Sequence, residues 1–185
     1  QHTSDSNELL KKIDRETHVS VLKPRMLSGH LQGRILSMFS SMIQPDRILE
    51  IGTYTGYSAL CLAEGLGEGG MVTTIDINEE LEERVQGYFE QSCYSKQIKY
   101  LIGDALVIVP TLKEKYDLVF VDADKINYKN YYDLIIDKMV QGGFIIVDNI
   151  LWSGKVTKNI KKGDKDTKAL IDFNKYVHED TRVEN

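Results

Sequence analysis

The sequence predicts an α/β protein with a mainly parallel sheet and helices on both faces, and three observations carry that prediction. Short apolar runs such as RILEI, MVTTID, YDLVFV and FIIV alternate with segments of helical periodicity between Arg47 and Asn149. The carboxyl end of each run carries an acid: Glu50, Asp76, Asp104, Asp122 with Asp124, and Asp148, which the amide Asn149 follows. The first run also passes into a helix through RILEIGTYTGYS, where Gly52 and Gly56 clear space for a ligand against the backbone. In open parallel sheets ligands sit at the carboxyl ends of the strands, so this pattern gathers the acids on one rim.

The elements follow in order. Leu9, Leu10 and Ile13 recur at helical spacing in a short amphipathic segment, Asn7 to Val19, which Lys23-Pro24-Arg25 breaks. Leu31, Ile35, Leu36, Phe39 and Ile43 mark a second helix from Gly29 to Ile43, closed by Gln44-Pro45-Asp46. Strand Arg47 to Ile51 leads to a helix from Ala59 to Leu66, stopped by Gly67-Glu68-Gly69-Gly70. A β-branched run ends at Asp76, and a charged helix spans Glu79 to Gln91. Strand Gln97 to Ile102, a short helix from Leu106 to Leu112, and the buried-type strand Tyr116 to Val121 follow. A helix from Asn130 to Val140, stopped by Gln141-Gly142-Gly143, precedes the fifth strand, Phe144 to Val147. Thr167 to His178 is a last helix, and Asp180 to Asn185 looks like the approach to another strand.

A chain of 185 residues with 42% apolar content suits one domain, with N-terminal helices over 1–45 and the α/β core over 46–185. The net charge of −5 argues against coating nucleic acid by bulk electrostatics. Cys61 and Cys93 form no CxxC pair, which points to reduced thiols and a cytoplasmic setting. No stretch approaches the ~18 apolar residues of a membrane span, and the polar start lacks the apolar core of a signal peptide. His2, His18, His30 and His178 are scattered and suggest no metal or triad pattern.

The acids carry the chemistry. Asp76 ends the second strand near the ~20-residue offset at which an acid meets ribose hydroxyls, so an adenosine-containing cofactor fits. The G-x-G-x-x-G pattern of dinucleotide sites is absent, which disfavours a nicotinamide dehydrogenase. S-adenosyl-L-methionine, which has no pyrophosphate to cradle, fits better. Asp122, Asp148 and Asn149 offer hard oxygens suited to Mg²⁺, Mn²⁺ or Ca²⁺. The bland alternative for each acid is a helix cap or turn. Lys125 lies three residues past Asp122, within reach of the same ligand, with a solvated surface lysine as its alternative.

ILEIGTYTGYSAL, TTIDIN, GDAL, FVDADKINY and GGFIIVDNILWSG together resemble the motifs of the cation-dependent class I O-methyltransferases, which include the catechol and caffeoyl-CoA enzymes. The likeness runs from about Leu27 through Asp180. It implies a Rossmann-like S-adenosylmethionine-dependent methyltransferase fold. It also implies that Ser28, Glu50, Gly52, Thr53, Ser58, Asp76, Asp104, Ala105 and Asp122 contact S-adenosylmethionine. Asp122, Asp148 and Asn149 would hold the divalent cation, with Lys125 and Asp122 at the reacting centre. The expected reaction is methylation of one hydroxyl of a catechol-like or other vicinal diol, on a small hydroxylated aromatic substrate.

Trp152 is the candidate to stack on that ring, with a packed rim tryptophan as the alternative. Lys155, Lys158, Lys161, Lys162, Lys165 and Lys168 form a charged loop that is either solvated or an anion site. A hydroxylated tRNA uridine is thus the alternative acceptor, and an inactive cofactor-binding protein the alternative class. The resemblance also implies a homodimer with N-terminal helices near the interface. Family members continue with two further strands, so the C-terminal strands are expected to be missing here and the fifth strand to show a bare edge.

Overall fold

The computed structural model describes residues 3–185, so His2 lies outside the described residues. Helix α1 (Glu8–Ser20) starts where the Asn7 side chain accepts the Leu10 N–H at 2.9 Å, and it buries Leu10, Ile13 and Thr17. Helix α2 (Gly29–Ile43) stops where Gln44 turns left-handed at φ 51°. Strand β1 (Arg47–Ile51) is followed by α3 (Tyr57–Ala63), β2 (Met71–Asp76), α4 (Glu82–Gln91), β3 (Ile98–Ile102) and α5 (Ala105–Thr111). Then come β4 (Tyr116–Val121), α6 (Tyr128–Ile135), β5 (Met139–Val147) and α7 (Lys165–His178).

The five strands form one sheet in the order β3-β2-β1-β4-β5, and every pairing is parallel. Parallel neighbours need crossovers, and the helices supply them on both faces. One face buries Leu10, Leu36, Leu60, Val85 and Phe89 from α1 to α4 against Ile48, Val72, Leu118 and Phe120. The other buries Val109, Tyr128, Ile135, Leu170 and Phe173 from α5 to α7 against Leu49, Ile75, Val119 and Val121. Side chains alternate across each strand, which is why successive residues of β1 and β4 belong to opposite clusters.

The structure corrects several expected boundaries. Helix α3 begins at Tyr57, two residues early, because Gly56 at φ 79° already turns the chain into it. The Glu79 to Gln91 segment opens as a 3₁₀ turn, Glu79–Leu81, before α4. The helix expected to run to Val140 ends in a 3₁₀ turn at Lys138, and Met139 already pairs with Tyr116 in the sheet. Gly142 and Gly143, read as a helix stop, instead lie in an irregular stretch of β5 that lets Leu118 face Phe144. A glycine pair serves a stop or a bulge equally well, and only the pairing partner decides. Asp180 to Asn185, the expected approach to another strand, opens as a turn, with the Asp180 carboxylate accepting from Tyr132 Oη at 2.9 Å and from Arg182 Nη2 at 2.7 Å. Strand β5 is an outer strand of the sheet, and Phe144 on it is 53% exposed.

Helices α2 and α3 pack closely. Ser40 Oγ donates to the Leu62 carbonyl at 2.6 Å, and a Cβ built on Gly65 would lie 2.1 Å from the Ser40 carbonyl carbon. Gly65→Ala is therefore expected to push the helices apart and destabilise the fold by about 1–3 kcal/mol, lowering the urea midpoint at unchanged slope. Gly87→Ala, at a helix position with nothing within 4 Å of the new Cβ, is expected to do the reverse. Its gain should be about 0.5–1 kcal/mol.

Candidate active site

Ladder hydrogen bonds line up the strand ends. Gly103 N–H donates to the Asp76 carbonyl at 2.8 Å, Gly52 to Ile75 at 2.9 Å, Asp122 to Ile51 at 2.9 Å and Asp148 to Val121 at 3.0 Å. These bonds put Asp76, Gly52, Asp122 and Asp148 side by side along the carboxyl rim. Above it opens a cleft of about 1330 Å³, walled on one side by the segment from Ser20 to Ser28. Ser28, Gly52, Thr53, Ser58, Asp76, Asp104, Ala105, Asp122, Lys125, Asp148, Asn149 and Trp152 all line this cleft. Glu50 does not: it is fully buried next to the glycine junction.

The glycine junction is a place where no other residue fits. Gly52 has φ 106°, and a Cβ there would lie 2.1 Å from the Asp122 carbonyl oxygen. Tyr54 beyond it takes φ 49°, and its backbone N–H donates to Asp76 Oδ2 at 2.6 Å. Asp76 Oδ1 accepts from Asn78 N–H at 2.8 Å, so the acid expected to meet a ribose is held from both sides. Tyr54 Oη points the other way, toward the Leu22 and Lys23 carbonyls at 3.0 and 3.2 Å. It fastens the Ser20 to Ser28 wall to the junction. Asp104 caps α5, its Oδ1 accepting from Leu106 N–H at 2.8 Å while it lines the cleft.

Burial raises the Glu50 carboxyl to about 8, although the Ser58 and Thr74 hydroxyls pull the other way. Thr74 Oγ1 donates to Glu50 Oε2 at 2.5 Å, which leaves Thr53 Oγ1 to donate to Thr74 over the same distance. Glu50 Oε1 has no hydrogen-bond partner. A buried oxygen left without a partner is costly to fold around. The unshielded backbone at Gly52, which lines the cleft, fits the zwitterionic tail of S-adenosylmethionine, and Glu50 lies buried behind it.

At the other end of the cleft the Asp122 carboxyl is raised by burial, lowered by Lys125 and raised again by Asp148. Two carboxylates this close need a cation or a proton between them. Lys125 meets half of that need: it is 9% exposed, with Nζ donating to Asp122 Oδ1 at 2.9 Å and to Tyr128 Oη at 2.5 Å. Tyr128 Oη donates in turn to the Asp148 carbonyl at 3.0 Å, joining the ends of β4 and β5. Asp148 Oδ1 accepts from Asn149 N–H at 2.6 Å and Oδ2 from Gln32 Nε2 at 3.0 Å. Asn149, Trp152 and Ser153 all have positive φ, at 61°, 46° and 54°. That strained loop holds Trp152 with its ring centroid 5.9 Å from Lys125 Nζ and 5.3 Å from Lys155 Nζ. Among the described residues no group of three or more His, Cys, Asp or Glu is arranged to hold a metal. The donor set here is two carboxylates and an amide, and its hard oxygens fit Mg²⁺, Mn²⁺ or Ca²⁺.

The sequence places Tyr54 and Tyr128 near the rim without giving either a role, and it does not single out Gln32 or Tyr131. Tyr54 and Tyr128 are of the kind that is most often simply packed, and Tyr131 donates through Oη to Asp124 Oδ1 at 2.5 Å. Only the glycine-flanked position of Tyr54 and the three-residue step from Lys125 to Tyr128 hinted at more.

The sequence profile of the family described as O-methyltransferase matches residues 1–185. The chain belongs to the O-methyltransferase family. A caffeoyl-CoA O-methyltransferase of Stellaria longipes is 31% identical over 156 residues, 81% of this chain and 64% of that protein. Caffeoyl-CoA O-methyltransferase 5 of Nicotiana tabacum is 39% identical over 131 residues, 68% of this chain and 55% of its own length. The chain thus spans between about half and two thirds of these curated relatives. Its fold is that of the Rossmann-like S-adenosylmethionine methyltransferases. The O-methyltransferase of Bacillus cereus in complex with SAH superposes with a TM-score of 0.92 at 26% identity, covering 99% of this chain and 84% of that one. TomG of Streptomyces achromogenes, in complex with SAM, gives 0.90 at 27% identity, covering 97% and 82%.

Glu50 makes the stability of this chain depend on pH. Its folded value, about 8, lies above the ordinary 4.5, so the folded chain holds the proton more tightly. Stability is then greatest below the unfolded value and falls as pH rises through the window between the two. Glu50→Gln, which mimics the protonated side chain, is expected to flatten that fall. Urea denaturation of both proteins from pH 5 to 8 without ligand checks it, the difference reaching on the order of a few kcal/mol.

Proposed function

We propose that this protein is an S-adenosylmethionine-dependent, divalent-cation-dependent O-methyltransferase that methylates one hydroxyl of a catechol-like or other vicinal diol. The observation that carries the reading is the pair of neighbouring carboxylates, Asp122 and Asp148, beside Lys125 at the same rim as the bare Gly52 junction. The SAM- and SAH-bound relatives and the family profile support the cofactor and the reaction type.

Gly52, Thr53, Ser58, Asp76, Asp104, Ala105 and Ser28 would hold S-adenosylmethionine, with Glu50 behind them, while Asp122, Asp148 and Asn149 would hold the cation. When bound, the cofactor supplies an electrophilic methyl group and the cation supplies Lewis-acid stabilisation of a developing oxyanion. The chain's own residues do the rest. Lys125 Nζ is the group placed to take the proton. Tyr128 Oη already spends its hydrogen on the Asp148 carbonyl, so it can only accept from Nζ. To take the proton, the Lys125 ammonium must first give one up, a loss that a bound cation beside Asp122 would favour; the amine would then keep two N–H bonds, enough for Asp122 and Tyr128, with its lone pair free for the acceptor hydroxyl. Trp152, fixed by its strained loop, offers a face to an aromatic ring. Much of the rate then depends on how rigidly the rim holds both reactants in line.

The lysine loop favours a second reading of the acceptor. Lys155 lines the cleft, and Lys158, Lys161 and Lys162 continue from it as exposed side chains. Such a lip suits an acceptor with an anionic tail, a CoA ester or a hydroxylated tRNA uridine. Leu31, Ile35, Met38 and Met42 form an exposed apolar stripe on α2, the face through which two copies would pair. The free thiols of Cys61 and Cys93 support a reducing, cytoplasmic setting. No helix among the described residues is long and apolar enough to cross a membrane.

Calorimetry of S-adenosylmethionine binding with and without Mg²⁺, followed by methyl transfer to a simple catechol, tests the reading. The expected result is binding with Mg²⁺-dependent transfer. Asp148→Ala should lower kcat/KM at least ~100-fold while leaving cofactor binding in place. Transfer that survives chelation or Asp148→Ala would overturn the cation assignment, and absence of cofactor binding would overturn the whole reading.

A further inference from the structure

The Asp148 carboxylate is held from two sides. Its own turn supplies Asn149 N–H to Oδ1 at 2.6 Å, and the far side of the cleft supplies Gln32 Nε2 to Oδ2 at 3.0 Å. Gln32 sits in α2, 116 residues away in sequence, half-buried and lining the cleft. Among the described residues it is the side chain that donates to this carboxylate. Asp148 needs that help more than Asp122 does. It follows an outer strand and precedes Asn149 in a left-handed turn, so no neighbouring strand flanks it on one side. Asp122 has β1 and β5 on either side and Lys125 on its oxygen.

We propose that Gln32 is a positioning residue of the cation site: by fixing the Asp148 carboxylate it makes cation affinity depend on the seating of α2. The inference rests on the cation reading given above. Each carboxylate oxygen has two acceptor positions, and one donor on each fixes the plane while leaving the others for a metal ion. Neighbours that orient a ligating group in this way are worth roughly 10–100-fold in metal affinity.

The test is a calorimetric titration of the protein with Mn²⁺, alongside its S-adenosylmethionine affinity and its Tm. Gln32→Met keeps the length and removes the amide. It is expected to weaken Mn²⁺ binding roughly 10–100-fold while cofactor affinity and Tm stay at wild-type values. Gln32→Asn keeps an amide one methylene short of Asp148 and guards against misfolding of the apolar variant. It should weaken Mn²⁺ in the same direction. Wild-type Mn²⁺ affinity in both variants, with binding lost in Asp148→Ala, would overturn the role of Gln32 and leave the cation site standing. A parallel fall in Tm and cofactor affinity would overturn it in favour of a structural part. A wild-type protein that takes no Mn²⁺ would overturn the cation reading and this inference together.

Discussion

Register in a parallel ladder is the constraint on which the rest of this molecule depends. Four strand ends donate their first post-strand N–H to a carbonyl at or next to the end of a neighbouring strand, from Gly103 on one flank to Asp148 on the other. A slip of one residue in β4 would turn the Asp122 side chain to the opposite face of the sheet. The apolar runs prevent it, because the same slip would exchange the two buried clusters that the strands separate. Core packing and the geometry of the rim are therefore one specification.

Polar burial divides between frame and cleft. In the frame much of it is paired: Arg34 grips Glu64 with two hydrogen bonds at 2.7 and 2.9 Å, and Ser37 adds a third at 2.5 Å, pinning α2 to α3, although Arg34 Nε and the Tyr100, Tyr116 and Thr167 hydroxyls are buried without partners. At the cleft Trp152 Nε1, and just behind it Glu50 Oε1, are buried without partners, and the Asp122 carboxyl is raised. Strain gathers there too, in the positive φ of Tyr54, Asn149, Trp152 and Ser153. A folded chain keeps such costs only where the surrounding packing is secure. Helix α2 serves both sides, with Arg34 and Ser37 in the frame and Gln32 at the rim.

Much of this was legible in the sequence for physical reasons. Strands β1 and β4 were readable to the residue because runs buried on both faces are continuously apolar and end at acids. The residues proposed for cofactor and cation converge on one cleft because a parallel sheet sends every carboxyl end to the same side. Glu50 showed the limit of that rule, since a strand-end position does not tell whether a side chain lines the cleft or lies buried beside it. The boundary between α6 and β5 was misread because Gly142 and Gly143 carry no mark of their pairing partner. Gln32 and Tyr54 were hidden because their partners, Asp148 and the Leu22 carbonyl, are distant in sequence, and a periodicity argument sees only one helix or loop at a time.

The acidic rim has a bearing on turnover. Asp76, Asp104, Asp122, Asp124 and Asp148 surround one cleft in a chain whose net charge is already −5. On the proposed reading the methyl donor arrives as a sulfonium and leaves as an uncharged thioether, so transfer removes a positive charge from inside a ring of carboxylates. The spent cofactor then loses an attraction that the fresh one enjoys, and the field that gathers the donor ceases to retain its product. Added salt would blunt that preference at the exposed acids first, where screening over about 10 Å is most effective.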